Sequence, residues 1–252
     1  MILERELWTD KSISFLVSDI IEYDMREAGF SIIKERKLLP QNQIDEIAKI
    51  PDKKMRHIEV GKVQRGNKTL REELARGFKD FRVWFGEANQ LTDDDVLSVK
   101  KDAIFVKKFC YNTEYGDHIR FVEKNTYTAF MQFGSFEFYL KDNGLDVKGI
   151  QNDNLELHET GLLSIIYKFM KMMSQYEEKE ATKYIVKVMN DYKYYQLPVE
   201  CYREFNSVNG YRIWQNDNET VVKDVGESYK DQLIIDYNYV NILVPLLNIV
   251  MG

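Results

Sequence analysis

Two aspartates of this chain stand beside strongly apolar segments that are typical of β-strands. Asp24 follows one such segment at residues 20–23, and Asp102 precedes another at residues 103–106. A carboxylate in these surroundings is costly to bury unless it is paired or binds a cation. Two carboxylates on neighbouring strands can hold a pair of Mg²⁺ ions about 4 Å apart, which activate an attacking 3′-hydroxyl and stabilise a leaving pyrophosphate. Strand-end caps or surface ion pairs have the same residue types, so spacing by itself leaves both interpretations open.

Motifs for other common chemistries are absent from the sequence. It has no GxxxxGK[ST], no GxGxxG and no GxSxG. The three histidines, His57, His118 and His158, are far apart, and each is interpreted as a surface or capping residue. Cys110 and Cys201 stand alone, which argues against a disulfide framework or a structural zinc and fits a reducing compartment.

The charge distribution sets one basic segment apart from an acidic chain. The chain of 252 residues has a formal net charge of −6 and is 44% hydrophobic, enough for a packed core. Residues 52–82 hold most of the clustered lysine and arginine. Phosphate contacts need such clusters. We therefore expect an anionic ligand to bind at this segment, although the net charge of the chain is negative.

No segment has the pattern of a secretion signal or of a membrane-spanning helix. Residues 1–15 carry acids early and have no apolar core. The most apolar stretch, residues 233–251, is interrupted by Asp236, Asn238, Asn241, Pro245 and Asn248. It is interpreted as a buried helix or strand. We therefore expect a cytoplasmic protein without a membrane partner.

The elements that would position the two aspartates are predicted from hydrophobic periodicity. Strand-like patterns occur at residues 18–25, 96–109, 133–140 and 145–150, the last two joined by a hairpin loop. Helical patterns occur at residues 28–38, 41–50, 68–89, 162–173 and 181–192. This order predicts an α+β fold whose C-terminal portion, from about residue 155, is mainly helical.

Three segments resemble motifs of family B DNA polymerases. Residues 24–33, DMREAGFSII, resemble the metal-binding motif DxxSLYPSII and are also similar to the reverse-transcriptase motif DxxxAxFS. Residues 101–106, KDAIFV, resemble the end of the motif DTDSIFV and keep its metal-binding aspartate. Residues 138–150 resemble the hairpin that follows, in which a KxY strand leads to a lysine-glycine pair. The resemblance covers about residues 18–150.

The resemblance implies a domain organisation and a set of site residues. Residues 1–154 would form a polymerase-like palm with an antiparallel sheet, packed helices and reduced fingers at about 40–70, and residues 155–252 a thumb-like helical lobe. Asp24 and Asp102 would be the catalytic ligands of Mg²⁺ or Mn²⁺. Nucleotide binding would fall to Gly29, Arg56, Lys62, Arg65 and Lys68. Contacts to a nucleic-acid primer-template would fall to Tyr139, Lys148 and Gly149.

Two of these assignments have a structural alternative. The basic residues at 56–68 are also typical of a solvated basic helix. Gly29 stands where the family B pattern has a tyrosine that blocks a ribose 2′-hydroxyl, so the resemblance implies tolerance of ribonucleotides. The same glycine can instead permit close packing of a helix on a strand.

The sequence also departs from the family pattern. Lys100 and Lys101 replace the first aspartate and the threonine of the second motif, and two ammonium groups there would compete with Mg²⁺. The KxY lysine is replaced as well. These differences leave two hypotheses: a minimal template-directed polymerase acting on nucleoside triphosphates, or a catalytically degenerate viral protein that binds a replication or transcription protein. The small size and divergent motifs favour a viral protein of the host cytoplasm.

Overall fold

The fold is α+β, as the sequence predicts, and is built on antiparallel strands. The computed structural model describes residues 2–148, 157–194, 196–198, 201, 211–216, 219–224 and 238–251, with backbone alone at 157–160, 211–216 and 219–224. By its internal contacts the chain divides into two compact units. Unit 1 comprises Met1–Lys11 and Asp19–Thr126, and unit 2 comprises Ser12–Ser18 and Tyr127–Gly252.

The elements follow the predicted order closely over the first hundred residues. The strands are β1 (Leu7–Thr9), β2 (Phe15–Met25), β3 (Val96–Lys100), β4 (Ala103–Val106), β5 (Glu114–Tyr115), β6 (Ile119–Phe133), β7 (Phe136–Lys141), β8 (Gly144–Lys148), β9 (Tyr211–Asn216) and β10 (Glu219–Asp224). The helices are α1 (Ala28–Arg36), α2 (Gln41–Ala48), α3 (Lys53–Arg65), α4 (Lys68–Ala88), α5 (Leu157–Ser174), α6 (Glu178–Lys193) and α7 (Val244–Met251). Within the part of the chain that the structure describes, no helix is long and apolar enough to cross a membrane.

The sheet of unit 1 has the strand order β1-β3-β4-β2-β6. Successive side chains of a strand point to opposite faces, so alternate residues of β2 enter one core. Ile21, Tyr23 and Met25 are buried there with apolar residues of α1 and α4. Glu22 and Asp24, which lie between them in sequence, are therefore on the other face of the strand.

A buried arginine secures the turn between β3 and β4. This turn consists of Lys101 and Asp102, and Lys101 has a left-handed backbone with φ of 50°. That conformation costs a residue with a side chain about 1 kcal/mol. Arg82 of α4, which is 1% exposed, donates hydrogen bonds to the main-chain oxygens of Leu3 (3.1 Å), Arg5 (2.9 Å) and Lys101. One guanidinium thus joins the N-terminal segment, α4 and the turn.

Unit 2 buries one face of a hairpin against helices. The turn Asp142-Asn143 joins β7 to β8, as the sequence predicts. Phe136, Phe138 and Leu140 belong to the same core cluster as buried residues of α5 and α6. The described part of the apolar C-terminal stretch, residues 238–251, is helical, which is one of its two predicted forms.

Four features differ from the sequence-based expectation. The run at 96–109 is a hairpin, β3–β4, rather than one strand. Strand β6 was not predicted, because residues 122–126 interrupt its apolar alternation. The C-terminal part contains the hairpin β9–β10 besides its helices. The division between the units falls at residues 126 and 127, with the β7–β8 hairpin in unit 2, whereas the sequence suggested a boundary near 155.

Replacing Arg82 by methionine should destabilise the protein strongly. The variant loses three charged hydrogen bonds, one buried and two partly buried, and leaves their main-chain oxygens without these donors. We therefore expect the free energy of unfolding to fall by about 3 kcal/mol. Arg76→Met is the matched control, because Arg76 is exposed and its ion pair is with a neighbour on the same helix, Glu73, at 2.7 Å. Its expected loss is below about 0.5 kcal/mol. Urea denaturation of both variants measures the difference, and equal losses would contradict the role given to Arg82.

Candidate active site

The two aspartates predicted from the sequence lie at the same end of two neighbouring strands. Strands β2 and β4 are antiparallel, and Asp24 lies opposite Ala103, the residue directly after Asp102. The main-chain N–H of Met25 donates to the carbonyl oxygen of Asp102 at 2.9 Å. Burial raises the pKa of Asp102 above its usual range, and the negative charge of Asp24 raises it further. The structure therefore brings both carboxyl groups into one electrostatic environment.

A lysine from β6 supplies positive charge beside Asp24. The ammonium nitrogen of Lys124 lies 3.0 Å from Oδ2 of Asp24 and 3.5 Å from Oε1 of Glu22. Asn125 donates from Nδ2 to Oε2 of Glu22 at 2.7 Å. Burial by itself would lower the pKa of Lys124, but its hydrogen bond to Asp24 and the charges of Asp24 and Glu22 raise it overall. Lys124 is thus a cation that balances two acids of β2.

The residues present suit a magnesium ion that also binds its substrate. Magnesium prefers oxygen ligands and is commonly held by one or two carboxylates, by water and by substrate phosphates. Asp24 and Asp102 supply such oxygens, and a cation beside Asp102 would relieve the repulsion that raises its pKa. Among the described residues no group of three or more histidine, cysteine, aspartate and glutamate side chains is placed to hold a metal by itself.

The lysines that depart from the family pattern face other partners. Lys100 donates from Nζ to Oγ1 of Thr9 at 2.9 Å. The ammonium group of Lys101 lies 5.2 Å from the ring centre of Phe78. The charge of Lys101 lowers the pKa of Asp102, but less than burial and Asp24 raise it. The lysine that pairs with Asp24 is Lys124, which sequence analysis did not consider.

A cleft of about 240 Å³ lies beside Asp102. Its walls are the start of α1, one side of α3, and the β3–β4 turn, and its lining residues are Ala28, Gly29, Phe30, His57, Val60, Gly61, Gln64, Phe78, Lys101 and Asp102. A Cβ atom added at Gly29 would lie 3.5 Å from Cγ1 of Val60 and 3.9 Å from Nε2 of Gln64, which is ordinary contact. The site thus brings Gly29 and Asp102 together in one cleft.

The four basic candidates for nucleotide binding do not line this cleft. Arg56 donates to Oε1 of Glu27 and to the main-chain oxygens of residues 50 and 51, so its guanidinium supports the backbone that leads into α3. Lys62 pairs with Glu59 at 2.8 Å, and Lys68 lies 3.7 Å from Glu72. Arg65 is exposed at the end of α3. Their arrangement is that of a solvated basic helix with a structural arginine.

The three candidates for nucleic-acid contact lie in or next to the β7–β8 hairpin. The ring of Tyr139 is fully buried between Tyr127 and Phe130, with centroid distances of 5.0 and 5.1 Å, so it presents no surface on which a base could stack. Lys148 ends β8 opposite Glu137. Gly149 lies outside the described residues. Tyr139 is therefore a core residue of unit 2.

Sequence reasoning missed the acid and the lysine that complete this environment. Glu22 could have been found, because it stands two residues before Asp24 and period 2 places both on one face of the strand. Lys124 carried no such signal, since it lies in the unpredicted strand β6, 100 residues after Asp24.

The whole chain, residues 1–252, matches the family of the bacteriophage PBS1 gene 130 protein. The chain belongs to this family. No curated protein matches it. The phage family agrees with the expected viral origin, and its description names neither a polymerase nor another activity.

Asp102→Asn should stabilise the protein at neutral pH. The folded state holds the Asp102 proton more tightly than the unfolded chain does, so Asp102 lowers stability as the pH rises above its unfolded pKa of about 3.9. The asparagine variant carries no charge at this position, so it does not lose this stability. We expect its Tm to exceed that of the parent at pH 7, with the difference shrinking as the pH falls towards 4.

Thermal unfolding between pH 4 and 8 measures this difference. Asp94→Asn is the matched control, because Asp94 is exposed on the turn before β3 and should leave Tm unchanged. A variant at position 102 that melts at or below the parent temperature at pH 7 would show that the Asp102 carboxylate is stabilised, rather than strained, in the folded state.

Proposed function

We propose that unit 1 is a polymerase-like palm and that the protein catalyses template-directed nucleotidyl transfer, with Asp24 and Asp102 as ligands of Mg²⁺ or Mn²⁺. The observation that carries the proposal is that these two partly buried aspartates lie at one end of the neighbouring strands β2 and β4, where the charge of Asp24 raises the pKa of Asp102. An acid such as Asp102, whose pKa is raised by burial and by the charge of Asp24 and which lines a cleft, is typical of functional sites.

The order of elements in unit 1 supports the palm hypothesis. Strand β2 ends with the first aspartate, the chain then forms helices α1 to α4, and it returns as the β3–β4 hairpin with the second aspartate in its turn. Pairing of β4 with β2 places the hairpin next to the first strand. An antiparallel sheet with packed helices, and the two aspartates at neighbouring strands, is what the resemblance to family B polymerases and reverse transcriptases implies.

The residues of the site suggest a division of labour in this reaction. A bound magnesium ion would activate the 3′-hydroxyl and neutralise charge on the phosphates. Asp24 and Asp102 would hold the ion, and Lys124 would keep the carboxylate of Asp24 oriented through its 3.0 Å contact. Gly29 would leave the wall of the cleft open where the sugar of a nucleotide approaches.

A second candidate function is favoured by the position of Lys124. Its ammonium group already provides the positive charge that a metal would bring to Asp24, and Glu22 shares it. A palm that has exchanged its metal for a lysine would be catalytically degenerate and would act as a scaffold. Such a protein would bind a phage or host protein of replication or transcription.

Primer extension separates the two candidates. With a primed template, nucleoside triphosphates and either Mg²⁺ or Mn²⁺, we expect the parent to extend the primer and both Asp24→Asn and Asp102→Asn to lose at least about 100-fold in rate, since each removes a metal ligand. Asp94→Asn is the matched control and should extend at the parent rate, because Asp94 is exposed and lies outside the cleft.

Titration with Mn²⁺ gives an independent measure of the metal site. Binding that is lost in Asp102→Asn but kept in Asp94→Asn agrees with the enzyme. A parent protein that neither extends a primer nor binds Mn²⁺ contradicts it and supports the scaffold with Lys124 as the permanent cation.

The sugar preference tests the role of Gly29. Glycine offers no side chain to block a ribose 2′-hydroxyl, so the parent should incorporate ribonucleotides and deoxyribonucleotides at rates within about 10-fold of each other. Gly29→Tyr should reduce ribonucleotide incorporation more than deoxyribonucleotide incorporation. Single-nucleotide incorporation with matched substrates measures the ratio.

Gly29→Ala serves as the control for this substitution. Its added Cβ makes only ordinary contacts with Val60 and Gln64, so the variant should keep the ratio of the parent. If the parent strongly prefers deoxyribonucleotides and the tyrosine leaves that preference unchanged, residue 29 does not face the sugar.

A further inference from the structure

A second, larger cleft of unit 1 adjoins the one beside Asp102. It has a volume of about 580 Å³ and lies among the N-terminal segment, the end of α3, one side of α4 and the β3–β4 turn. Gln64, Phe78 and Lys101 line both clefts. A volume of this size accommodates a nucleotide, since small-molecule sites commonly measure about 300–1,000 Å³.

The lining of the larger cleft is strongly cationic. It includes Arg71, Arg76, Lys79, Arg82 and Lys101, and the only acids among its lining residues are Glu4 and Glu6. This excess of positive charge occurs in a chain whose formal net charge is −6. A concave surface lined by one sign of charge focuses its field and attracts the opposite ion.

Internal partners account for three of these five cations. Lys79 lies 3.0 Å from Oε2 of Glu4, and its hydrogen bond and charge lower the pKa of Glu4. Arg76 pairs with Glu73. Arg82 gives its donors to main-chain oxygens. These contacts build the cleft wall and leave two cations for a ligand.

Arg71 and Lys101 are the cations without such partners. Both are exposed, and neither forms an ion pair with any residue that the structure describes. Lys101 is also held in place. Arg82 donates a hydrogen bond to its main-chain oxygen, and its ammonium group lies over the ring of Phe78. An arginine can bind phosphate oxygens with two parallel hydrogen bonds, and a lysine adds a point charge.

We propose that the larger cleft binds the polyphosphate of a nucleotide through Arg71 and Lys101. Its limited, concave volume suits a small phosphorylated molecule better than a duplex, which needs an extended surface. Phe78, at the junction of the two clefts, offers an apolar ring to the rest of the ligand. This binding site does not require that Asp24 and Asp102 catalyse a reaction.

Calorimetric titration of the full chain tests the site. The probes are ATP and inorganic triphosphate, both in EDTA so that metal-mediated binding to the aspartates is removed. We expect Arg71→Gln and Lys101→Gln each to weaken binding of both probes by about 10-fold, the effect of losing one charge-assisted contact. Tighter binding of ATP than of triphosphate would add a contact from the nucleoside, whereas equal binding would assign the whole affinity to the phosphates.

Two controls make the result specific. Arg65→Gln and Lys68→Gln repeat the same substitutions at exposed residues that line neither cleft, and they should bind both probes as the parent does. Equal weakening in all four variants would indicate general attraction of polyanions and would overturn the site, as would the absence of binding in the parent.

The proposed catalysis is tested separately. Asp102→Asn should bind triphosphate in EDTA at least as tightly as the parent, because it removes a negative charge next to Lys101. If the parent binds triphosphate but does not extend a primer, the polymerase hypothesis is rejected and the polyphosphate site is supported. If it extends a primer but does not bind triphosphate in EDTA, the polyphosphate site is rejected and the polymerase hypothesis is supported.

Discussion

The hydrogen bonds of Arg82 hold together the parts of unit 1 on which the candidate site depends. Its guanidinium is almost fully buried and reaches main-chain oxygens in the N-terminal segment and in the β3–β4 turn. Burial lowers the pKa of Arg82, while the charges of Glu6 and Asp102 act in the opposite direction. An arginine remains charged under these conditions. This side chain thus holds the turn that carries Asp102, and it also lines the larger cleft.

The charges at the site allow two arrangements, one with a bound metal ion and one with Lys124 as the cation beside Asp24 and Glu22. Asp102 has a raised pKa because it is buried and faces Asp24, which favours the arrival of a cation. Asp24 has a cation already, since Lys124 lies 3.0 Å away. A metal would therefore bind most readily on the side of Asp102, facing the smaller cleft, with Lys124 kept as a fixed counter-charge for Asp24 and Glu22. Without a metal, the same geometry would be that of the proposed scaffold, and primer extension distinguishes the two.

Local patterns were sufficient for most elements of the fold. Helices α1, α2 and α4 and strand β2 begin and end within a few residues of their predicted bounds, because each has a regular apolar period and clear stop signals. The hairpin β7–β8 follows from its two-residue turn. Strand β6 escaped prediction, since the polar residues 123–126 lie in its middle and one of its neighbours in the sheet, β2, is distant in sequence.

The sequence by itself predicted that Asp24 and Asp102 lie at neighbouring strands, because each adjoins an apolar segment typical of a strand, and the structure places them at one end of β2 and β4. Tertiary structure alone decided what surrounds them. Lys124 lies beside Asp24 because strands distant in sequence are neighbours in the sheet. Arg56, a candidate for nucleotide binding, pairs instead with Glu27 and supports the backbone. Tyr139 is a core residue because the rings of Tyr127 and Phe130 pack against it. Charge and aromatic character are properties of a residue, but its partners and its exposure are set by chain segments far away in sequence, so no local pattern can contain them.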